Sequence, residues 1–368
     1  MSRKAGLAKK IAHTLMAMSI VYSSGINIVI NEAYAAEKTV DITNSYDGTP
    51  FEETGKDGAD FTSGGKITDG ESASIVGIIK DDTFTNAISV TAKGGNGGDD
   101  DDRDHPTVME GSKGGDAFAK VTVDESKNNV TLGNITVKAA GGSQGSTYMG
   151  KGQLSGAAAA YGLEVKHDLT INAQKITVES SSIAQSGDII DTGSGKRKDV
   201  LAVGLQIDSG QVNFTGESIQ VTARNQYDSF SGSSKAEGSA FLSNGGDTEA
   251  YGIRITGGEA TVKLNGSLKF YTVDNGAGGS GSVCEAGKAA DGGNGGDAYT
   301  AGISAAGGEL ELEVAGMDIS VYGGDGGSIG LMTKSTENVA ATGKVQATGG
   351  TGGTLSLIHI SEPTRLQL

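Results

Sequence analysis

Carboxylates next to glycine-rich segments are the residues of this chain best suited to chemistry. The hexapeptide GGNGGD occurs at residues 94–99 and again at 292–297, and an acidic run follows the first copy. Calcium prefers carboxylate and carbonyl oxygens, and GGxGxD repeats bind it when consecutive copies stack. Asp99, Asp101 and Asp297 are therefore the candidate calcium ligands. Because the two copies are far apart in the chain, flexible glycine-rich loops are the simpler interpretation.

Other polar motifs do not combine into a catalytic set. Residues 190–195 and 207–210 look like aspartic-protease loops, but they lie too close in the chain to come from two lobes of one cleft. Residues 141–145 match GxSxG without the strand-to-helix context of a nucleophile elbow. His167 and its neighbour Asp168 are expected in a turn between strands. We therefore predict no catalytic residue, no organic cofactor and no enzymatic activity.

Composition narrows the class of protein further. The 368 residues include 61 Gly, 3 Pro, one Cys and no Trp, with 36% hydrophobic residues and a formal charge of -16. So little apolar surface argues against a compact enzyme, and scarce proline argues against collagen. The negative charge disfavours nucleic acid as a partner. The single cysteine, Cys284, excludes an intramolecular disulfide.

The two ends of the chain are expected to lie outside the fold. Residues 1–35 have a basic start, a short apolar stretch and an Ala-x-Ala site, which is the pattern of a secretory signal peptide. Ala33 and Ala35 form that site, and cleavage is expected before Ala36; a retained amphipathic helix is the alternative. Residues 355–368 contain LSLIHISEPTR, which resembles translated sequencing-adapter text. The natural protein is therefore expected to continue differently beyond that point.

A unit of about 41 to 51 residues repeats through residues 71–354. Each unit has three short runs in which apolar and polar residues alternate, followed by a long Gly/Ser/Asp segment. The last run recurs at Ile88–Val90, Ile135–Val137, Ile176–Val178, Ile219–Val221, Leu268–Phe270 and Ile319–Val321. Alternation predicts strands with one buried face, and a three-strand unit must stack on its neighbours to bury that face. Residues 36–70 lack the repeat and are predicted to be a polar N-terminal cap or a linker.

These features predict an all-β fold, and more finely a right-handed parallel β-helix, or solenoid, with long glycine-rich edge loops. The spacing is compatible with one coil per repeat or with two. Gly162, Gly204, Gly252 and Gly302 recur at one place in the unit. We expect them at sharp corners that require positive φ.

The signal peptide, the acidic Gly/Ser/Thr-rich body and the solenoid repeats together resemble the passenger region of a bacterial autotransporter, or a related surface adhesin. The resemblance covers residues 1–354 and rests on architecture and composition. It implies export to the cell surface or the extracellular space, and an outer-membrane β-barrel encoded beyond this sequence as a partner. It also implies contact with a host or neighbouring-cell ligand through displayed loops.

Two alternatives to this non-enzymatic adhesin stay open. The first is a β-helical polysaccharide lyase or hydrolase, which needs carboxylates and basic residues gathered on one face of adjacent coils. The outward residues of the last run, such as Thr136, Thr177 and Gln220, form no such cluster. The second is a secreted repeat protein stiffened by calcium.

Overall fold

A computed structural model describes most of the repeat region. The described residues are 18–19, 29–30, 37–60, 66–99, 112–145, 155–184, 199–227, 235–236, 240–241, 247–274, 281–283, 289–291, 298–305, 309–322, 329–331, 346–348 and 355–357. Every regular element among them is a strand, which confirms the all-β prediction. Within this part of the chain no helix is long and apolar enough to cross a membrane.

The strands follow one another along the chain with no other regular element between them. In chain order they are β1 (Met18–Ser19), β2 (Val29–Ile30), β3 (Lys38–Ile42), β4 (Phe51–Thr54), β5 (Ala73–Ile79), β6 (Thr83–Phe84), β7 (Ile88–Lys93), β8 (Ala117–Val123), β9 (Asn129–Leu132), β10 (Ile135–Gly141), β11 (Ala158–Val165), β12 (Leu169–Ala184), β13 (Val200–Ile207), β14 (Gln211–Tyr227), β15 (Lys235–Ala236), β16 (Ala240–Phe241), β17 (Thr248–Ile255), β18 (Glu259–Asp274), β19 (Gly281–Val283), β20 (Ala289–Asp291), β21 (Ala298–Ala305), β22 (Glu309–Tyr322), β23 (Ile329–Leu331), β24 (Gln346–Thr348) and β25 (Leu355–Leu357).

Two large parallel sheets contain most of these strands. Sheet I has the order β3-β5-β8-β11-β13-β17-β21-β25, and sheet II has the order β4-β7-β10-β12-β14-β18-β22, with β9 beside the first half of β12 and β6 beside β9. Two three-stranded parallel sheets, β15-β19-β23 and β16-β20-β24, and the antiparallel pair β1-β2 complete the set. Each neighbour in the large sheets is therefore the corresponding strand of the next repeat.

The core lies between the inner faces of sheets I and II. Ile135 pairs with Ile88 on one side and with Ile176 on the other, so equivalent apolar residues form continuous columns. These three side chains are fully buried, as is Leu163 of sheet I, which belongs to the same cluster. The alternation that predicted strands thus also identifies the buried face.

One predicted alignment of the last run is wrong. Leu268 pairs with Met317, and Ile319 lies opposite Phe270 instead. A slip of two residues leaves the same face turned inward, so the apolar pattern alone does not distinguish the two registers.

The four recurring glycines lie inside β11, β13, β17 and β21 and not at corners, so the positive-φ prediction is wrong. Positive φ is found instead at Gly210 and Gly258, which close the short connections 208–210 and 256–258 between sheet I and sheet II strands. A Cβ atom on Gly258 would also lie 2.4 Å from the Gly210 carbonyl oxygen, so these corners stack closely.

Gly162 marks a shift in the alternation of β11. Ala160 and Leu163 both belong to the core, whereas Tyr161 between them packs on the opposite face of the sheet. A Cβ atom at Gly162 would lie 2.6 Å from the Cγ2 atoms of Ile176 and Val178. Gly162 is therefore required by the close approach of sheet II at an irregularity of the strand.

The glycine-rich segments next to the sheets are hydrogen-bonded to one another. We call residues 55–58, 68–71, 94–98, 112–115 and 141–145 the glycine layer. The N–H groups of Gly55 and Gly58 donate to the carbonyls of Lys93 and Asn96, and those of Gly94 and Gly97 donate to Ala140 and Ser143, over 2.6 to 2.9 Å. Bonds to a neighbouring segment at every third residue are typical of polyproline-II-like helices, which have three residues per turn and no internal hydrogen bonds.

The glycine layer leaves no room for side chains at its contacts. A Cβ atom on Gly142 would lie 2.0 Å from the Gly95 carbonyl oxygen, and one on Gly98 would lie 2.0 Å from the Ala59 oxygen. Gly95 and Gly98 are also buried. In residues 94–98 glycine therefore permits close packing of backbone on backbone, and the interpretation of residues 94–99 as a flexible loop does not account for these contacts.

Candidate functional site

Only one of the three predicted calcium ligands lies in the described part of the chain. The Asp99 N–H donates to Asp60 Oδ1 over 2.9 Å, which joins two segments at the end of the glycine layer. Asp101 and Asp297 lie outside the described residues. Among the residues that the structure describes, no group of three His, Cys, Asp or Glu side chains is placed to hold a metal ion. Calcium binding stays a prediction.

Several other predicted positions also lie outside the described residues. They are the signal-cleavage residues Ala33, Ala35 and Ala36, the aspartic-protease-like loop 190–195 and Cys284.

Polar residues singled out by motif take part in contacts between successive repeats. His167 Nε2 donates to the Lys127 carbonyl oxygen at 2.8 Å, and Asp168 Oδ1 accepts from the Gln211 N–H at 2.8 Å. Ser143 of the GxSxG match donates through its hydroxyl to Asn96 Oδ1 at 2.8 Å. These geometries give each group a role in stacking one repeat on the next.

The outward face of sheet I carries a group of polar and aromatic side chains that the sequence analysis missed. We call it the aromatic–charged face; its members are Phe118, Lys120, Tyr161, Glu164, Gln206, Glu249, Tyr251 and Arg254. Register aligns them in columns, because Glu164 lies opposite Gln206 and Gln206 lies opposite Arg254. Polar and aromatic residues recur regularly within these otherwise apolar strands, and that pattern could have identified the face from the sequence.

Glu164 is a buried charge of this face that two lysines hold. Its carboxylate is 2% exposed, and its Oε2 atom lies 2.9 Å from Lys120 Nζ and 3.1 Å from Lys166 Nζ. A buried carboxylate is stable only when cations or donors compensate for lost water. The two lysines supply that compensation from both sides.

The aromatic members pack against the charged ones. Tyr251 donates its hydroxyl to Glu249 Oε2 at 3.1 Å, and the Arg254 guanidinium lies 5.2 Å from the centroid of the Tyr251 ring. The rings of Phe118 and Tyr161 lie 5.8 Å apart. Burial of the Tyr161 phenol raises its pKa, so this group keeps its proton at a higher pH than an exposed tyrosine does.

The aromatic–charged face has the residue types of a glycan-processing surface but not the exposure. Glu164, Glu249 and Arg254 are 2%, 1% and 6% exposed, and Tyr251 is fully buried. A polymeric substrate needs access to such groups. In the described structure the face is therefore a packed layer that joins neighbouring strands of sheet I.

The long segments that follow β7, β10, β12 and β14 emerge at one edge of the paired sheets, which we call the loop edge. In sheet II the ends of β7, β10, β12 and β14 lie side by side, since Ala140 pairs with Lys93 and Ala184 pairs with Tyr227. In sheet I the starts of β8, β11, β13 and β17 are likewise aligned. The connecting segments 94–116, 142–157, 185–199 and 228–247 therefore leave and return at the same edge.

Comparison with known proteins identifies no relative. No protein family matches the chain, and neither curated proteins nor solved structures give a match. Any functional assignment therefore rests on the geometry and on the residues.

Proposed function

We propose that the chain is a right-handed parallel β-helix, exported to the cell surface or beyond it, and that it acts as a non-enzymatic, adhesin-like passenger. Each repeat contributes one strand to sheet I and one longer strand or strand pair to sheet II, which is the arrangement expected of one coil per repeat. The single observation that carries the functional proposal is the loop edge.

The loop edge supports a role in presenting binding loops, because each repeat has one side that maintains the stack and another side that carries the long segments. The connections 166–168, 208–210 and 256–258 between sheet I and sheet II are only three residues long, and they keep the stack regular. The segments on the other side are long, and surface segments on a rigid scaffold are where binding functions concentrate. A net charge of -16 keeps the remaining surface soluble and resists nonspecific association.

Trimming the long segments tests display directly. Residues 186–197 and 229–245 are each replaced by a short Gly/Ser linker in the full chain, separately and together. Binding of the labelled protein to epithelial cells and to bacterial cells is then measured. We expect the double trim to reduce binding at least tenfold. Far-ultraviolet circular dichroism should change by no more than the loss of the short strands β15 and β16, and the two large sheets should unfold at a melting temperature near that of the parent. Unchanged binding by a folded double trim would contradict loop display.

Export is tested on its own. Residues 1–40 fused to alkaline phosphatase are expected to give periplasmic activity and a processed product in a Gram-negative host. Ala33→Leu and Ala35→Leu together are expected to block processing. A fusion that stays cytoplasmic would remove the passenger proposal, whatever the result of the trims.

A further inference from the structure

Sheet II carries a second, separate surface, which we call the neutral facet. It consists of eight exposed threonine and asparagine side chains on neighbouring strands. They are Thr83, Asn129, Thr131, Thr170, Asn172, Asn213, Thr215 and Thr261.

Register arranges the neutral facet as two columns of four. Thr83, Thr131, Asn172 and Thr215 form one column, and Asn129, Thr170, Asn213 and Thr261 form the other. Neighbouring strands are about 4.8 Å apart and alternate residues of a strand are about 6.6 Å apart, so the side chains form a two-dimensional lattice. The intervening residues Val130, Ile171 and Phe214 are buried in the core and hold the lattice in place.

The neutral facet directs its hydrogen-bonding capacity outward. None of its eight side chains hydrogen-bonds to another group in the described part of the chain. Elsewhere the same residue types are used within the fold. Asn96 Oδ1 accepts two bonds from Ser143, and Thr256 Oγ1 donates to Asp208 Oδ1 at 2.8 Å. Each threonine hydroxyl or asparagine amide of the facet can both donate and accept.

The neutral facet contains no charge, although the protein is strongly acidic. Its first column ends where Lys263 takes the next position, and Lys263 Nζ pairs with Glu313 Oε2 at 2.8 Å. A polyanion would gain no cation from the lattice, and a protein partner would find no aromatic or apolar centre of the kind that most interfaces use. A neutral, hydroxyl-rich and repetitive ligand matches it in charge and in hydrogen bonding, and its repeating units can contact the lattice at several points.

We propose that the neutral facet binds an extended neutral polysaccharide through hydrogen bonds from its threonine and asparagine side chains. A single neutral hydrogen bond contributes little net affinity, but a repeating chain on a repeating lattice forms several at once. This inference goes beyond loop display, because these strands follow the short connections and lie away from the loop edge.

The test uses the full chain and a panel of insoluble neutral polysaccharides, namely cellulose, chitin, a β-1,3-glucan and an α-glucan. Thr170→Val and Thr215→Val together remove two hydroxyls and keep the β-branched shape. Thr136→Val and Thr177→Val, at two half-buried outward positions on the second half of the same sheet, are the control for the same chemical change. Asn172→Asp and Asn213→Asp add charge to the lattice with almost no change of shape.

We expect the parent to be retained on at least one neutral polysaccharide, with little change between 50 mM and 500 mM salt. The facet pair of valines and the aspartate pair are each expected to lower retention about tenfold or more, while the control pair and the loop trims retain parent-like binding. Circular dichroism verifies that each variant is folded. The proposal is overturned if no member of the panel retains the parent, if the facet and control pairs behave alike, or if binding is lost in the loop trims instead.

Discussion

The substitution Gly142→Ala tests whether the glycine layer is packed or is a set of flexible loops. The new Cβ atom would lie 2.0 Å from the Gly95 carbonyl oxygen and 3.0 Å from that of Gly94. Carbon and carbonyl oxygen normally stay about 3.3 Å apart, so the two segments must separate by about 1.3 Å at this point. That movement also stretches the bond from the Gly142 N–H to the Gly115 oxygen, now 2.8 Å long.

The expected loss of stability follows from these two terms. Overpacking costs about 1 to 3 kcal/mol, and a weakened buried hydrogen bond adds about 1 to 2 kcal/mol. The sum, about 2 to 5 kcal/mol, is to be read from urea unfolding of the full chain. Amide hydrogen exchange in residues 94–98 and 112–115 should accelerate at least about 30-fold, because each 1.4 kcal/mol of opening free energy is tenfold in exchange.

The matched control is Gly316→Ala in β22, where a Cβ atom would meet nothing within 4 Å. There alanine is expected to be neutral or to stabilise by up to about 1 kcal/mol, since it loses less chain entropy on folding than glycine. If Gly142→Ala and Gly316→Ala unfold alike and exchange in residues 94–98 is unchanged, the glycine layer does not pack as described.

Two further predictions concern the aromatic–charged face. Lys120→Met leaves the Glu164 carboxylate buried with only Lys166 beside it, so the free energy of unfolding should fall by about 2 kcal/mol. Adding Glu164→Met should restore most of that loss. Equal losses in the single and double variants would argue against a coupled pair. Burial raises the pKa of Tyr161, so the folded state keeps its proton above pH 10 while the unfolded state loses it, and stability should fall with rising pH by about 1.4 kcal/mol per unit. Tyr161→Phe should remove that alkaline slope from pH-dependent urea titrations, and an unchanged slope would mean that the phenol is not buried.

The alternation of residues predicted the strands and their core-facing side correctly. Ile88, Ile135 and Ile176 form the column that the repeat implied, because each residue pairs with its counterpart one repeat later. It did not predict register at Leu268, since a two-residue slip buries the same face.

The features that the sequence did not predict depend on contacts distant in the chain. Alternation assumes that one face of a strand is wet, whereas Tyr161 and Tyr251 show that the outward face of sheet I is buried too. Glycine-rich segments have no periodic pattern of apolar residues. The hydrogen bond from the Gly55 N–H to the Lys93 carbonyl oxygen could therefore not be predicted from the sequence. The neutral facet could not be recognised from the sequence, because only the strand register shows which outward threonines and asparagines lie side by side.

The stacking of equivalent strands also limits what the loop edge can look like. Each repeat adds only about 4.8 Å to the stack, so neighbouring long segments begin less than one side-chain diameter apart. In the described segments 94–98, 112–115 and 141–145 the neighbouring backbones bond directly to one another, so this part of the edge is a continuous backbone surface. At those contacts a Cβ atom has no space, so glycine is needed there. We therefore interpret the high glycine content as a consequence of crowding, so that a bulky residue in one segment would demand space from the segments on both sides.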